Sequence, residues 1–169
     1  KMAQNQPSSA IAVINSDTIN IPEPGIITSG TNTSGAATTL VDAGQDFLNP
    51  ATNLNGYNIK GGDVVISAAG AICEVESVDQ TDKTKLNLKT PGIAAGAYEI
   101  YKGNYQIQGK SSGFTLFVGT GGPASTLKVE TVTGQTVTLK NIPDSSFIPV
   151  QVQKVFASGT TCSDIIGLQ

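Results

Sequence analysis

Two glutamates one residue apart, Glu74 and Glu76, are the pair in this chain best placed for acid–base chemistry. Glycoside hydrolysis needs two carboxyl groups held across a cleft. Side chains at i and i+2 of a strand share one side, and the surrounding Ala71-Ile72-Cys73-Glu74-Val75-Glu76-Ser77-Val78 alternates apolar and polar. Both carboxylates are therefore expected on one solvated face that discourages edge pairing. Asp42 with Asp46, and Asp79 with Asp82, offer the hard oxygen ligands that calcium takes, but without the alternating spacing and distal Glu of an EF-hand. They read as turn and cap residues. Gly119-Thr120-Gly121-Gly122 suggests a loop that cradles phosphate, yet Pro123 stands where a helix N-terminus should supply donors, and no Lys-Ser/Thr pair follows. A turn between strands is expected there. Tyr57, Tyr98, Tyr101 and Tyr105 would stack on sugars if they clustered in the open, and strand-end packing accounts for them equally well. Cys73 and Cys162 are far apart in sequence and read as small buried hydrophobes, with a single bridge as the other option.

The composition narrows the chemistry further. The chain has no His, which removes the side chain most used for proton transfer near neutral pH and the commonest zinc ligand. All ten basic residues are Lys, scattered from Lys1 to Lys154, and the net charge is −3. Phosphate backbones call for a basic stripe and favour Arg, so nucleic acid is not an expected partner. Charged residues make up only 14 % and hydrophobic ones 38 %. The surface must then be largely uncharged and polar, as in extracellular β-proteins and fibres, where Thr and Val suit a half-buried pleat and Gly and Asn supply turns. No apolar run approaches the roughly 20 residues of a membrane span, and no signal-peptide core is present. No membrane partner, metal or cofactor is expected, nor any catalytic residue.

The elements that must position these residues are strands. Residues 1–10 read as a loose arm, with Lys1 before Met2 as an expression or processing scar. Ile11 to Ile14 is a short apolar stretch, and Ile19-Asn20-Ile21 alternates as a strand does until Pro22 and Pro24 stop it. Gly30 to Ala37 contains only Gly, Thr, Ser, Asn and Ala and reads as a flexible crossing between units. Strands are expected at 39–41, 63–66, 71–78, 85–88 and 98–101, with at most one helical turn near Ala43 to Leu48. Phe114 to Val118 follows. Thr126–Val132 and Gln135–Lys140 flank Thr133-Gly134 as a hairpin, and two closing strands run from Phe147 to Phe156 and from Asp164 to Leu168. Pro149 lies inside the first of these, so that stretch should be an edge or a bulge.

Two stretches resemble known families. Thr39-Leu40-Val41-Asp42-Ala43-Gly44-Gln45-Asp46-Phe47, Gly61-Gly62-Asp63-Val64-Val65, Val75-Glu76-Ser77-Val78-Asp79 and Ala97-Tyr98-Glu99-Ile100-Tyr101 together resemble a small β module recurrent in phage structural proteins. Leu116-Phe117-Val118-Gly119-Thr120-Gly121-Gly122, the Leu127 to Leu139 hairpin, Ser146-Phe147-Ile148-Pro149-Val150-Gln151-Val152, Ala157-Ser158-Gly159-Thr160-Thr161 and Asp164-Ile165-Ile166 are similar to the spike-base family of phage and gene-transfer-agent heads. In that family a short Pro-containing strand runs almost directly into the Phe-Val-Gly stretch, so Thr18-Ile19-Asn20-Ile21-Pro22 looks like its first piece. The chain departs from the family at Gln153 and Lys154, where Arg is frequent, at Gln169, where an aromatic residue is common, and at Cys162, commonly a small residue. For a phage protein made in bacteria, the glycosylation pattern Asn32-Thr33-Ser34 carries no weight.

The resemblance and the residues together imply an all-β chain of small antiparallel sandwich or barrel modules, one inserted in the other. Residues 11–25 with 106–169 would form a discontinuous spike-base-like domain, and residues 26–105 the inserted module. The implied function is that of a virion structural protein, a decoration on the head surface or the base of a spike or fibre, without catalysis. Its implied partners are further copies of itself, the major capsid protein and other virion proteins. Phe114, Phe117, Phe147, Ile148 and Phe156 are the candidate inter-subunit residues, each read equally as core. The rival readings are a tail-fibre or adhesin tip that binds host glycans, and a carboxylate-dependent hydrolase.

Overall fold

A computed structural model of the chain describes residues 7–34, 36, 38–89, 91–104 and 113–169. The fold is all-β, and the described residues form twelve strands in two antiparallel six-stranded sheets. The strands are β1 (Ala10–Ala12), β2 (Ile26–Asn32), β3 (Thr39–Val41), β4 (Val64–Ser67), β5 (Ile72–Val78), β6 (Lys85–Leu88), β7 (Gly96–Tyr101), β8 (Phe114–Thr120), β9 (Thr126–Thr131), β10 (Thr136–Lys140), β11 (Ser146–Val155) and β12 (Ser163–Leu168). The chain divides into two compact units, Lys1–Ile21 with Gln106–Gln169, and Pro22–Tyr105. Residues 22–25 thus go with the second unit, where Glu23 binds Lys102 through both its backbone N–H and an ion pair at 2.8 Å.

In the discontinuous unit the strand order is β1-β12-β8-β11-β9-β10. Alternation along β8 sends Phe114, Leu116 and Val118 inward, where they meet Leu127 and Val129 of β9 and Val152 and Val155 of β11 among the buried residues. Pro149 falls where β11 breaks register with β8, between Ile148 and Val152. β11 takes up β9 only from Val152 onward, so the imide ring, which has no N–H to give, sits outside the doubly paired stretch. The expected bulge is therefore present. The segment Ile19-Asn20-Ile21, expected as a strand, forms none. It is held instead by single bonds onto β11, Ser16 N–H to Val155 O and Ile21 N–H to Gln153 O, both 2.8 Å. The N-terminal arm is also anchored where it is described: Ser8 and Ser9 N–H both donate to Gln169 O, and Ala10 begins β1. Residues 1–6 lie outside the described residues.

In the other unit the order is β2-β7-β4-β5-β6-β3 around a core that includes Leu40, Val65, Val75, Leu86, Leu88 and Ile100. The segment read as a flexible crossing begins as strand: Gly30, Thr31 and Asn32 pair in register with Tyr98, Ala97 and Gly96, while Thr33, Ser34 and Ala36 belong to no strand. Its poverty in apolar side chains has a structural reason. A Cβ on Gly30 would lie 2.0 Å from Asp42 Oδ2 and 2.8 Å from the Tyr98 hydroxyl. Ala43 to Leu48, where at most one helical turn is expected, forms turns only, followed by two 3-10 turns at Pro50–Thr52 and Leu54–Gly56, the first capped by Asn49 Oδ1 accepting from Ala51 N–H at 3.0 Å.

Candidate interaction surface

The five aromatic and aliphatic residues singled out from the sequence separate by the period of the strand. Phe114 and Phe117 are three apart, and Phe147 and Ile148 are neighbours, so each pair must straddle its sheet. Phe114 and Ile148 point into the core. Phe117 and Phe147 face outward, directly opposite one another across β8 and β11, with their rings edge to face at 5.1 Å. Phe147 is 63 % exposed. Ile166 of β12 stands directly opposite Phe117 on the other side, and Ala12 of β1 opposite Ile166. Four adjacent strands thus carry one outward apolar row, Ala12, Ile166, Phe117 and Phe147.

Above the row lie polar groups. Asp164, at φ 53°, accepts from the Thr120 hydroxyl at 2.6 Å. Gly119, in line with it, leaves no room for a side chain, since a Cβ there would sit 2.8 Å from that of Asp164. Gly121 is equally confined, since a Cβ there would lie 2.0 Å from Ile142 O, and its N–H donates to Asp144 at 2.7 Å. The glycine run is thus half strand and half a close approach of two segments of the chain. Phe156, the last of the five, is half-buried, with the ammonium groups of Lys128 and Lys154 at 4.8 and 5.0 Å from its ring centre.

The residues weighed for catalysis and binding are engaged elsewhere. Glu74 forms an ion pair with Lys89 at 2.5 Å. Glu76 lines a shallow cavity of about 460 Å³ beside Lys60, Ser77 and Gln80, and no second carboxylate lines it. Asp79 accepts from Thr81 and Asp82 and pairs with Lys85. The backbone N–H of Thr81, then its hydroxyl, hold the Asp79 carboxyl well below the usual range. Asp82 caps Thr84 in the same way and is shifted in the same direction, first by that hydroxyl. These are the turn roles expected of them. Among the described residues no group of three His, Cys, Asp or Glu side chains is placed to hold a metal, and no helix is long and apolar enough to cross a membrane. Cys73 and Cys162 are both buried and unbridged, as expected. Burial pushes the Cys73 thiol up.

The three described tyrosines spend their hydroxyls on carboxylates: Tyr57 on Asp63 at 3.0 Å, Tyr98 on Asp42 at 3.0 Å and Tyr101 on Glu99 at 2.7 Å. Tyr105 lies outside the described residues. Burial and then the neighbouring carboxylate raise all three phenols, Tyr101 to about 12 and the other two further. Asn32, the residue of the glycosylation pattern, is 1 % exposed. Its amide donates to Ile93 O and Ala94 O while its oxygen accepts from Ser34 and Val41. Comparison of the chain with protein-family models, with curated proteins and with solved structures found no match.

Proposed function

We propose that this chain is a structural protein of a bacteriophage particle, carried on the capsid surface as a decoration or as the base of a spike or fibre. It works through assembly contacts with the major capsid protein or another virion protein, without catalysis. The observation that carries this reading is the outward row of Ile166, Phe117 and Phe147 on three adjacent strands. A contiguous apolar patch costs solubility when it faces water and gains when a partner covers it, and large aromatic side chains dominate such contacts. The residues of this row lie within the stretches that resemble the spike-base family. The glycan-binding alternative calls for clustered, exposed tyrosines, and the three described ones have their hydroxyls bound to carboxylates instead.

Co-sedimentation of the purified protein with purified capsids tests the proposal. The expected result is that the chain pellets with capsids and that Phe147→Ser weakens binding at least about tenfold, the scale of an interface anchor. A chain that stays in the supernatant, or a Phe147→Ser variant that binds equally well, overturns it.

A further inference from the structure

The sheet of the discontinuous unit ends on β10, and β10 has the marks of an unfinished edge. Its register with β9 runs without a shift from Thr136 opposite Glu130 to Lys140 opposite Thr126. The bonds Thr131 N–H to Gln135 O and Asn141 N–H to Ser125 O fix the phase of that ladder. In an antiparallel pair, bonded and non-bonded positions alternate, so Val137 and Leu139 spend their backbone groups on β9. The N–H and C=O groups of Thr136, Thr138 and Lys140 consequently point away from the sheet, and no described residue meets them.

The side chains tell the same story. Val137 and Leu139 lie opposite Val129 and Leu127, which are 1 % and 0 % exposed. They therefore occupy the core face, yet Val137 remains 39 % exposed because no strand lies beyond it. Natural edges are normally blunted by bulges, prolines, inward charges or lysines along the edge. β10 has no bulge, proline or inward charge; its one lysine, Lys140, falls on the outer face at the end of the strand and leaves Thr136 to Leu139 uncharged.

We propose that β10 is a self-association edge, and that its occupant is β10 of a second copy, antiparallel about a two-fold axis through Thr138. That register pairs Thr138 with Thr138 of the second copy, and Thr136 with Lys140 of the second copy. All three outward-facing residues then fall on bonded positions, and six backbone hydrogen bonds are completed. Val137 comes opposite Leu139 of the second copy on the core face, continuing both apolar rows across the junction. Lys140 of the second copy enters the row that Glu130 and Thr136 already form, so the one charge on the edge approaches a carboxylate rather than its own image. The two lysines stay at opposite ends. The contact is isologous: each β10 is consumed by the other and growth stops at two. So short an interface is expected to be weak in dilute solution and to strengthen where many copies are held together on one surface. The pairing does not depend on what the Phe147 row binds.

Light scattering behind a sizing column, over a concentration series of the full chain, reads it out. The mass is expected to rise from 17.3 kDa toward twice that value as concentration increases. Thr138→Lys places like charges opposite each other at the axis and should hold the chain at the monomer mass, as should Thr138→Glu. An equimolar mixture of the two variants should recover the dimer, which a variant that merely misfolded would not do. A wild-type chain that stays at 17.3 kDa at every concentration overturns the proposal, as does a dimer indifferent to both substitutions or a mixture that fails to recover it.

Discussion

The two sheets have the same number of strands and opposite solutions to the problem of their edges. In the unit of residues 22–105, the edge strands β2 and β3 come together. Thr33 N–H reaches Val41 O at 2.9 Å, and three side chains fill the remaining seam. Asn32 Oδ1 accepts from Val41 N–H, Asp42 Oδ2 accepts from Thr31 N–H at 2.8 Å, and Gln45 Nε2 donates to Ser29 O at 2.8 Å. Tyr98 crosses Gly30 to reach the same Asp42 oxygen at 3.0 Å. In the other unit no described residue covers β10 in this way. The difference teaches where each unit is stable and where it is available. Such a seam is costly to disturb where its bonds are buried, as between Tyr98 and Asp42, because a lost partner strands a buried donor. An open edge loses little on substitution and is free to associate.

The largest effect should come from cutting the seam at its centre. Asp42→Ala leaves the N–H groups of Thr31 and Gly44 and the Tyr98 hydroxyl without their acceptor. A stranded buried donor costs about 1–3 kcal/mol, and here three donors lose their acceptor at once. Gly30→Ala should act on the same seam from the other side by forcing a methyl into the space between Asp42 and Tyr98. Urea unfolding followed by tyrosine fluorescence checks both, since all four tyrosines fall in residues 22–105 and the chain has no Trp. An unchanged midpoint for Asp42→Ala would show that the seam contributes little.

A milder attack on the same unit is alkali. Tyr57 and Tyr98 are raised in the fold because burial, and then Asp63 and Asp42, disfavour the phenolate. A raised value means the folded state holds its proton more tightly than the unfolded chain, whose tyrosines titrate near 10. The resulting stability is complete below about pH 10 and falls as the pH rises past it toward the folded values. The urea midpoint of the tyrosine-containing unit should therefore decline between about pH 10 and 12, while the other unit, which has no tyrosine, should follow it less. Tyr98→Phe, which removes one of the three donors to Asp42, should cost about 1–2 kcal/mol at neutral pH and reduce that alkaline decline. Equal loss in both units would mean that the phenols are not responsible.

How much of this was legible beforehand follows from the range of each signal. Alternation over 71–78, 85–88 and 126–140 is local, and β5, β6, β9 and β10 lie where the pattern placed them. The turn chemistry of Asp79 and Asp82 was equally local. The role of Asp42 was only half readable. Its bond to Gly44 N–H is a turn two residues long, but its other partners lie 11 and 56 residues away, and no neighbouring residue announces them. The same closure explains why Gly30 to Asn32 looked like a linker: the glycine is there for the Tyr98 phenol to pass, and Asn32 for its five bonded contacts, not for apolar burial. On the candidate surface the strand period already requires Phe114 and Phe117 to face opposite ways. Which of them faces out is a property of the whole sheet and not of the single strand.

The smallest effect expected is on the open edge itself. Thr138 is exposed, makes no side-chain bond among those described, and sends its backbone groups away from the sheet. Thr138→Lys should therefore change the unfolding free energy by no more than about 0.5 kcal/mol, the usual scale for a surface position. The new ammonium will stand opposite Lys128 within the same chain, a like-charge cross-strand pair that can account for a few tenths of that. Tyrosine fluorescence is blind to this unit, so circular dichroism through the full urea transition is the appropriate probe. If the variant instead unfolds the discontinuous unit, β10 is held by contacts its exposure does not reveal, and the contrast between a sealed sheet and an open one fails. If stability is kept while the chain no longer gains mass with concentration, the edge contributes to association and not to folding, the division of labour the two sheets imply.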